Sequence, residues 1–391
     1  LGLAGYQPGE TLNLYFELDP ATADPTLEKA NVEWAYLRGN EWCPLEDETQ
    51  VLNDTTAGLI QSGIVKITPP SGMSQVGTTI LPPAFHWLRA SVTENTAAIA
   101  ATLKVSTQAA VVVAETRDAH DAGRLATALP AGSIAKLVAP LGGLKAVDQP
   151  FAAFGGRAPE ETTKFNRRVS ELLRHKGRAI TLHDYEHLVL EAFPQVYRVK
   201  CLTHTRGVRG DANADLELAP GHVTLVVVPD LSRVSAVNPY EPRLPAADLE
   251  AIRVFLADKI ASGTALTVLN PAYEPVRLRL SVRFRPGRGV TFNRQQLQRD
   301  LRQLLAPWTR PAAEGADITF GGRFYYSTAV RYVEELPYVD YVKNLSIDHP
   351  AEGVGTAAQA ATGARSVLTT ANGPVTDPAT DFRNRHDIIV I

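Results

Sequence analysis

The chain has 391 residues, of which 45% are apolar and 21% charged, and a formal net charge of −3. That length exceeds the roughly 100–200 residues of a single domain and predicts two to four packed units, while the apolar fraction excludes a wholly disordered chain. The near-neutral balance excludes the overall basic excess of a protein that coats nucleic-acid phosphates.

Cys43 and Cys201 stand far apart and outside any Cys-x-x-Cys or Cys/His spacing, so two free thiols in a reducing compartment are expected instead of a disulfide framework or a zinc finger. No apolar run approaches the roughly 18 residues of a membrane span, and no basic-then-apolar leader opens the sequence. The first residue is Leu1 and the single methionine is Met73, so further residues are expected ahead of Leu1.

The first third reads as β. In GETLNLYFELD, Leu12, Leu14, Phe16 and Leu18 alternate with Thr11, Asn13, Tyr15 and Glu17, the period of a strand with one buried face. VEWAYLRGNEWCPL follows as a hairpin turning at Gly39 and Asn40. With GIVKITPP and FHWLRASV, these runs predict a β-sandwich over residues 1–113. Trp34, Tyr36, Trp42 and Trp87 suit either its core or an exposed platform that stacks on sugar rings, core packing being the commoner use.

After Ala114 the sequence becomes rich in Pro and Gly between short apolar pieces, which predicts extended segments running along another surface. A helix is expected from about Glu160 to Lys176, with Pro159 near its first turn and Phe165, Val169, Leu172 and Leu173 forming an apolar stripe; Gly177 is placed to supply the left-handed cap. A second helix, TLHDYEHLVLEAF, has Thr181 as N-cap, Asp184 closing a capping box, a buried stripe of Leu182, Tyr185, Leu188, Val189 and Phe193, and Pro194 as its stop. His183 and His187 lie four residues apart on an adjoining face. A zinc-hydrolase helix needs Glu directly after the first His, where this chain has Asp184, so capping and surface polarity outweigh a metal site.

Residues 220–319 read as β-α-β-β-α, the order of a ferredoxin-like unit: HVTLVVVPD, a helix with Leu249, Ile252, Leu256 and Ile260 on one side, TALTVLN, EPVRLRLSVRFRP, and a helix capped by Asn293 with Gln296 at N3 and Phe292 stapled to Leu297. Along the strand 276–285, Val276, Leu278, Leu280, Val282 and Phe284 face one way, and Arg277, Arg279, Arg283 and Arg285 the other. The arginine face fits an acidic partner or phosphates, against the blander reading of a solvated face. LEAFPQVYRVKCL (190–202) and VEELPYVDYVKNL (333–345) echo one another as a helix that stops at proline and turns into a strand, and FGGR occurs at 154–157 and 320–323. GVGTAA (353–358) lacks the preceding strand of a dinucleotide loop, and DANAD (211–215) lacks the Gly and Glu of a calcium loop. No GxSxG or GxxxxGK[ST] is present.

The run LPAGSIAKL, then QPFAAFGGRAPEETTKFNRRVSELLRHKGRAITLHDYEHLVLEAFPQVYRVKCLTHT, closely resembles the baseplate J-like wedge proteins of contractile phage tails and contractile injection systems. The likeness extends more weakly to about residue 350. It implies a structural, non-enzymatic subunit without cofactor, metal, nucleic acid or membrane insertion, assembled in the bacterial cytoplasm in sixfold symmetry into a phage tail-like particle that is released or anchored. Its partners would be other wedge subunits, the central hub and spike, and sheath-proximal baseplate proteins, with the wedge helping to trigger contraction.

On that reading the multidomain α+β chain divides into the sandwich (1–113), an extended connector with a helical clamp (114–219), the ferredoxin-like domain (220–319), a second helix–strand module (320–350) and a flexible arm ending in a strand (351–391). Arg174, Lys176 and Arg178 would sit at the connector of the clamp. Arg277, Arg279, Arg283 and Arg285 would meet a partner, and Ile388 and Val390 would lie in a strand added to a neighbour's sheet. The alternatives are a carbohydrate-binding sandwich and a zinc-dependent enzyme using His183 and His187.

Overall fold

The computed structural model describes residues 1–46, 49–115, 124–156, 158–231, 238–287, 289–309, 318–351, 353–355, 358–371 and 386–391. The chain forms two compact units, one of Leu1–Ala109 with Gly177–Ile391 and one of Ala110–Lys176.

In the larger unit, β1 (Gly2–Leu3), β2 (Leu12–Asp19), β3 (Glu33–Arg38), β4 (Glu41–Pro44), β5 (Val51–Asp54), β6 (Gly63–Ile67), β7 (His86–Ser91) and β8 (Ala101–Ser106) make two four-stranded antiparallel sheets, ordered β1-β7-β3-β4 and β5-β6-β2-β8. Leu12, Leu14, Phe16 and Leu18 of β2 are buried as their alternation predicts, and they share one core with Trp34, Tyr36 and Leu88 of the other sheet. Each such side chain contributes about 2 kcal/mol on burial, so the period-2 pattern fixes the register of the strand. Gly39 turns the β3–β4 hairpin with φ 63°, a conformation glycine adopts freely.

The smaller unit carries α1 (Thr162–His175). Its left-handed C-cap is Lys176 at φ 52°, one residue earlier than expected, with Gly177 also left-handed at φ 71°. Glu160 grips Arg168 through a bidentate pair at 2.8–3.2 Å. Ahead of the helix, the segment 124–156 is held by sparse bonds. The Gln149 side chain accepts from the Ile134 N–H and donates to the Phe151 carbonyl, and Ala153 N–H donates to the Leu129 carbonyl.

Returning to the larger unit, α2 (Leu182–Ala192) begins in the predicted capping box, with Thr181 Oγ1 accepting from the Asp184 N–H and the Asp184 carboxylate accepting from the Thr181 N–H. Tyr185, Leu188 and Val189 are buried; Leu182, expected in the stripe, is exposed. β9 (Val196–Thr203), β10 (His222–Pro229), α3 (Ala246–Ala257) and β11 (Ala265–Leu269) complete a three-stranded sheet in which β10 lies antiparallel to β9 and parallel to β11. Leu249, Ile252 and Leu256 of α3 close its core.

The thirteen-residue β12 (Ala272–Phe284) then leaves this sheet. It is followed by α4 (Val290–Leu305), β13 (Arg323–Tyr325), α5 (Tyr326–Glu334), β14 (Val339–His349), β15 (Gly353–Gly355), β16 (Ala358–Ala360), β17 (Ser366–Thr370) and β18 (Asp387–Val390). β12 pairs with β14 on one edge and with β17 and β18 on the other. Residues 220–319 therefore do not form one ferredoxin-like sheet. The reason lies between β11 and β12. The buried Asn270 amide accepts from the Leu244 N–H and donates to the Leu244 carbonyl, and Pro271, which cannot donate to a ladder, follows. α4 also differs from expectation: Gly289 is its N-cap, Asn293 is a buried residue within the helix, and Phe292 is exposed on it.

Two clamps tie these parts of the larger unit together. The sandwich receives Arg209 Nη1 on the Pro25 carbonyl, and Ala246 of α3 packs into the sandwich core. The loop 361–366 is fixed by Arg365, whose guanidinium donates to Asp215 at 2.6 Å and to the Val208 carbonyl at 2.7 Å, and by Thr362, which bonds Glu274. The Arg365 and Asp215 side chains are only 6% and 11% exposed. Asp215→Ala is expected to lower unfolding stability by about 3–5 kcal/mol in urea titration, because it strands the buried guanidinium, and Asp215→Ala/Arg365→Met is expected to recover part of the loss.

Candidate functional site: protein-interaction surfaces

The aromatic residues of the sandwich are used in packing. Trp34 and Tyr36 are buried, Trp34 stands edge-on to Phe16, the Arg89 guanidinium lies 4.9 Å over the Trp42 ring, and Trp87 donates to the Pro82 carbonyl. A shared sugar-stacking platform is not what these four rings build.

His183 and His187 do come together, stacked with ring centroids 3.7 Å apart. The carboxylates beside them in sequence serve the backbone instead. Asp184 closes the capping box, and Glu186 accepts from the Cys201 N–H at 2.9 Å, stapling α2 to β9. The Cys201 thiol is pushed up to about 12 by burial and by the Glu186 charge, so it is an inert core group.

Of the four arginines, Arg277, Arg279 and Arg283 lie on β12 and Arg285 just past its end, and they part company in environment. Arg277 is buried, and Arg279 donates to the fully buried Asp348. Arg283 and Arg285 are exposed, Arg283 lying 3.8 Å from Asp340 and 6.0 Å from the Tyr341 ring, with Lys343 over the same ring at 5.1 Å. Of the four, Arg283 and Arg285 are the exposed ones. Simple alternation misses this because β12 is a central strand, and its first arginines lie where β14, β17 and β18 surround them.

Arg174 and Lys176 are exposed in the smaller unit and Arg178 in the larger. The smaller unit also displays Leu137, Val138, Leu141, Phe154, Phe165 and Leu173 to solvent, and none of the hydrophobic cores of the described residues draws a side chain from 110–176. The α1 stripe read from the sequence therefore faces outward. Apolar surface this extensive marks a contact face.

The strand expected on a neighbour's sheet is seated on the chain's own β12, where Leu280 pairs with Ile388 and Val282 with Val390. Ile388 enters the core beside Leu280 and Leu301, while Ile389 and Val390 remain exposed. β17 ends opposite Val276 and β18 begins opposite Arg279, and His386 bridges the gap between them. Its Nδ1 accepts from the Leu278 N–H at 3.0 Å, so Nε2 carries the proton and donates to Thr370 Oγ1 at 3.0 Å. The Gln298 amide of α4 pairs with the N–H and carbonyl of His386, both at 3.2 Å. Complete burial, helped by the charges of Arg302 and Arg277, pushes the imidazole down to about 3. Nothing in RHDIIVI short of a His ahead of an apolar run signals this anchor.

The family model of the PVC11-like baseplate proteins matches residues 1–371. No curated protein matches the chain. Among solved structures it is similar to a chain of the cryo-EM structure of the anti-feeding prophage (AFP) baseplate, 6-fold symmetrised, at 18% identity over 92% of this chain and 75% of that one, with a TM-score of 0.42.

The His386 seat yields a pH prediction with a definite sign. An exposed His386 takes a proton below its ordinary value of 6.5 and the seated one stays neutral to about 3, so seating is strongest above 6.5 and weakens as pH falls toward 3. Hydrogen exchange, corrected for intrinsic rates, is expected to show protection of Ile388–Ile391 declining through that window. In His386→Gln the decline should flatten, and His386→Ala should lose about 1–3 kcal/mol of local protection at pH 7 by leaving the Leu278 N–H unpaired.

Proposed function

Because the chain belongs to the family of PVC11-like baseplate proteins, we propose that it is a structural wedge subunit in the baseplate of a contractile injection system or phage tail-like particle. In this reading it acts without catalysis or cofactor. It stands in sixfold array around the hub and spike, links them to the sheath, and helps convert target contact into contraction. Its partners are neighbouring wedge subunits, the hub and the sheath-proximal baseplate proteins, and assembly takes place in the bacterial cytoplasm.

The observation that carries the reading is the family match over residues 1–371. The smaller unit supports it physically, because its described residues show apolar side chains to solvent that another surface would cover. We assign it a part of the clamp, with Phe165, Leu172 and Leu173 of α1 as anchors and Arg174 and Lys176 as its charged margin. Arg283 and Arg285 form a second contact for an acidic surface.

Affinity purification of the tagged chain from cells making particles is expected to recover sheath, tube and spike proteins together with visible contractile particles. Leu172→Asp/Leu173→Asp, two changes at exposed sites, should leave the circular dichroism spectrum of the purified protein unchanged and lower its incorporation at least about tenfold. Recovery of the unaltered chain alone, from cells in which particles are abundant, would overturn the proposal.

A further inference from the structure

We propose that the groove on β12 is a strand-exchange site between copies of this chain, in which residues 386–391 of one copy seat on β12 of the next. The inference rests on the baseplate reading for one premise, that copies are held side by side.

The groove is a built receptor. One wall is the β12 edge from Leu278 to Val282, whose backbone pairs in parallel with Asp387–Val390 and accepts from the Ile391 N–H at Val282. The floor is the core of Leu280, Leu297 and Leu301, which takes Ile388. At the head, the Leu278 N–H, the Thr370 hydroxyl and the Gln298 amide read His386 by its ring and its backbone. An empty groove would leave a buried donor and an apolar slot, so it demands an occupant with an imidazole two residues ahead of an isoleucine.

Every one of these contacts is made by the six residues 386–391. None depends on which molecule supplies them, so the exchanged pairing keeps the same register, the same hydrogen bonds and the same buried isoleucine. The occupant is accordingly a second copy of this chain and not an unrelated peptide.

The length of the connection is what points beyond the single molecule. β17 and β18 lie end to end along one edge of β12 and run the same way, and only Arg277 and Leu278 separate their last and first partners. Two or three residues would bridge that gap of roughly 7–10 Å. The chain instead places fourteen residues, 372–385, between Ala371 and His386. Fully extended, a segment of that length spans at most roughly 46–50 Å, enough to reach a neighbouring subunit. The family match ends at Ala371, so the acceptor strand lies inside the matched residues and the donor outside them. A connection of this length gives the chain's own strand an effective concentration on the order of millimolar, so the dilute chain keeps its own strand and exchange takes over where neighbours exceed that concentration.

Ser281 and Ile389 are register partners on the face of the sheet away from the core, which allows a covalent test with full-length protein. The variants Ser281→Cys and Ile389→Cys are made separately and together, with the unaltered chain as a control for Cys43 and Cys201. The double variant at low concentration should give an intrachain disulfide on mild oxidation, and failure to do so would sink the proposal by showing that the strand is not seated on β12. The two single variants can link only by exchange. They are expected to form a disulfide-joined pair when mixed at about 1 mM and when co-expressed in particle-forming cells. Particles that contain both variants without an interchain disulfide would overturn the exchange and leave the baseplate reading standing. A link at 1 mM from a chain that never enters particles would do the reverse.

Discussion

The larger unit depends on β12 having both edges satisfied. A thirteen-residue strand carries more backbone donors and acceptors than one neighbour can meet, and an unmet buried group costs as much as a lost hydrogen bond. β14 covers one edge, interrupted by a bulge where the left-handed Asn344 lets two residues oppose one. The other edge is covered in pieces by β17, the His386 imidazole and β18. The ring is useful because it is neutral: an acceptor at Nδ1 fills the place of a carbonyl between two strands, which a protonated ring cannot do.

The two αβ parts of the larger unit solve this edge problem with the same four pieces in a different chain order. In one, α2 leads into β9, which pairs antiparallel with β10, and β10 leads into α3. In the other, β12 leads into α4, and α5 leads into β14, which pairs antiparallel with β12. The sequence echo falls on corresponding positions, with Val199 opposite Val227 and Val342 opposite Val282. Each central strand then takes a parallel partner on its far side: β11 for β10, and β17 with β18 for β12. The first module finds its partner by an ordinary helical crossover. The second draws on the end of the chain, which is why its last partner comes from so far along the sequence.

Most local chemistry was legible in the sequence, the cap of α4 excepted, and long-range pairing was not. The alternation of β2, the capping box of Thr181 and Asp184, the stripe of α3 and the helix stops at Pro194 and Pro337 each depend on residues within a few positions of one another, and each is present. The ferredoxin-like grouping failed because strand partners are chosen by what covers each edge, and the Asn270–Leu244 lock that turns β12 away spans 26 residues. The arginine face was half legible for the same reason. Alternation gives the side on which Arg277 and Arg279 point, while only the neighbours reveal that Arg277 is covered and that Asp348 holds Arg279. At the end of the chain, the apolar pattern of IIVI announced a strand, and its acceptor lay more than a hundred residues away.

The contrast between the units is itself a functional argument. The larger one meets its own polar groups with buried pairs such as Arg365 with Asp215 and His349 with Glu274, and it fills its own cores. The smaller one leaves apolar side chains uncovered around a few backbone bonds. Ordering a backbone costs about 1–2 kcal/mol per residue, and a segment without a core of its own recovers that only against another surface. The larger unit thus holds its order by its own cores, while the described apolar side chains of the smaller unit are left for another surface to cover.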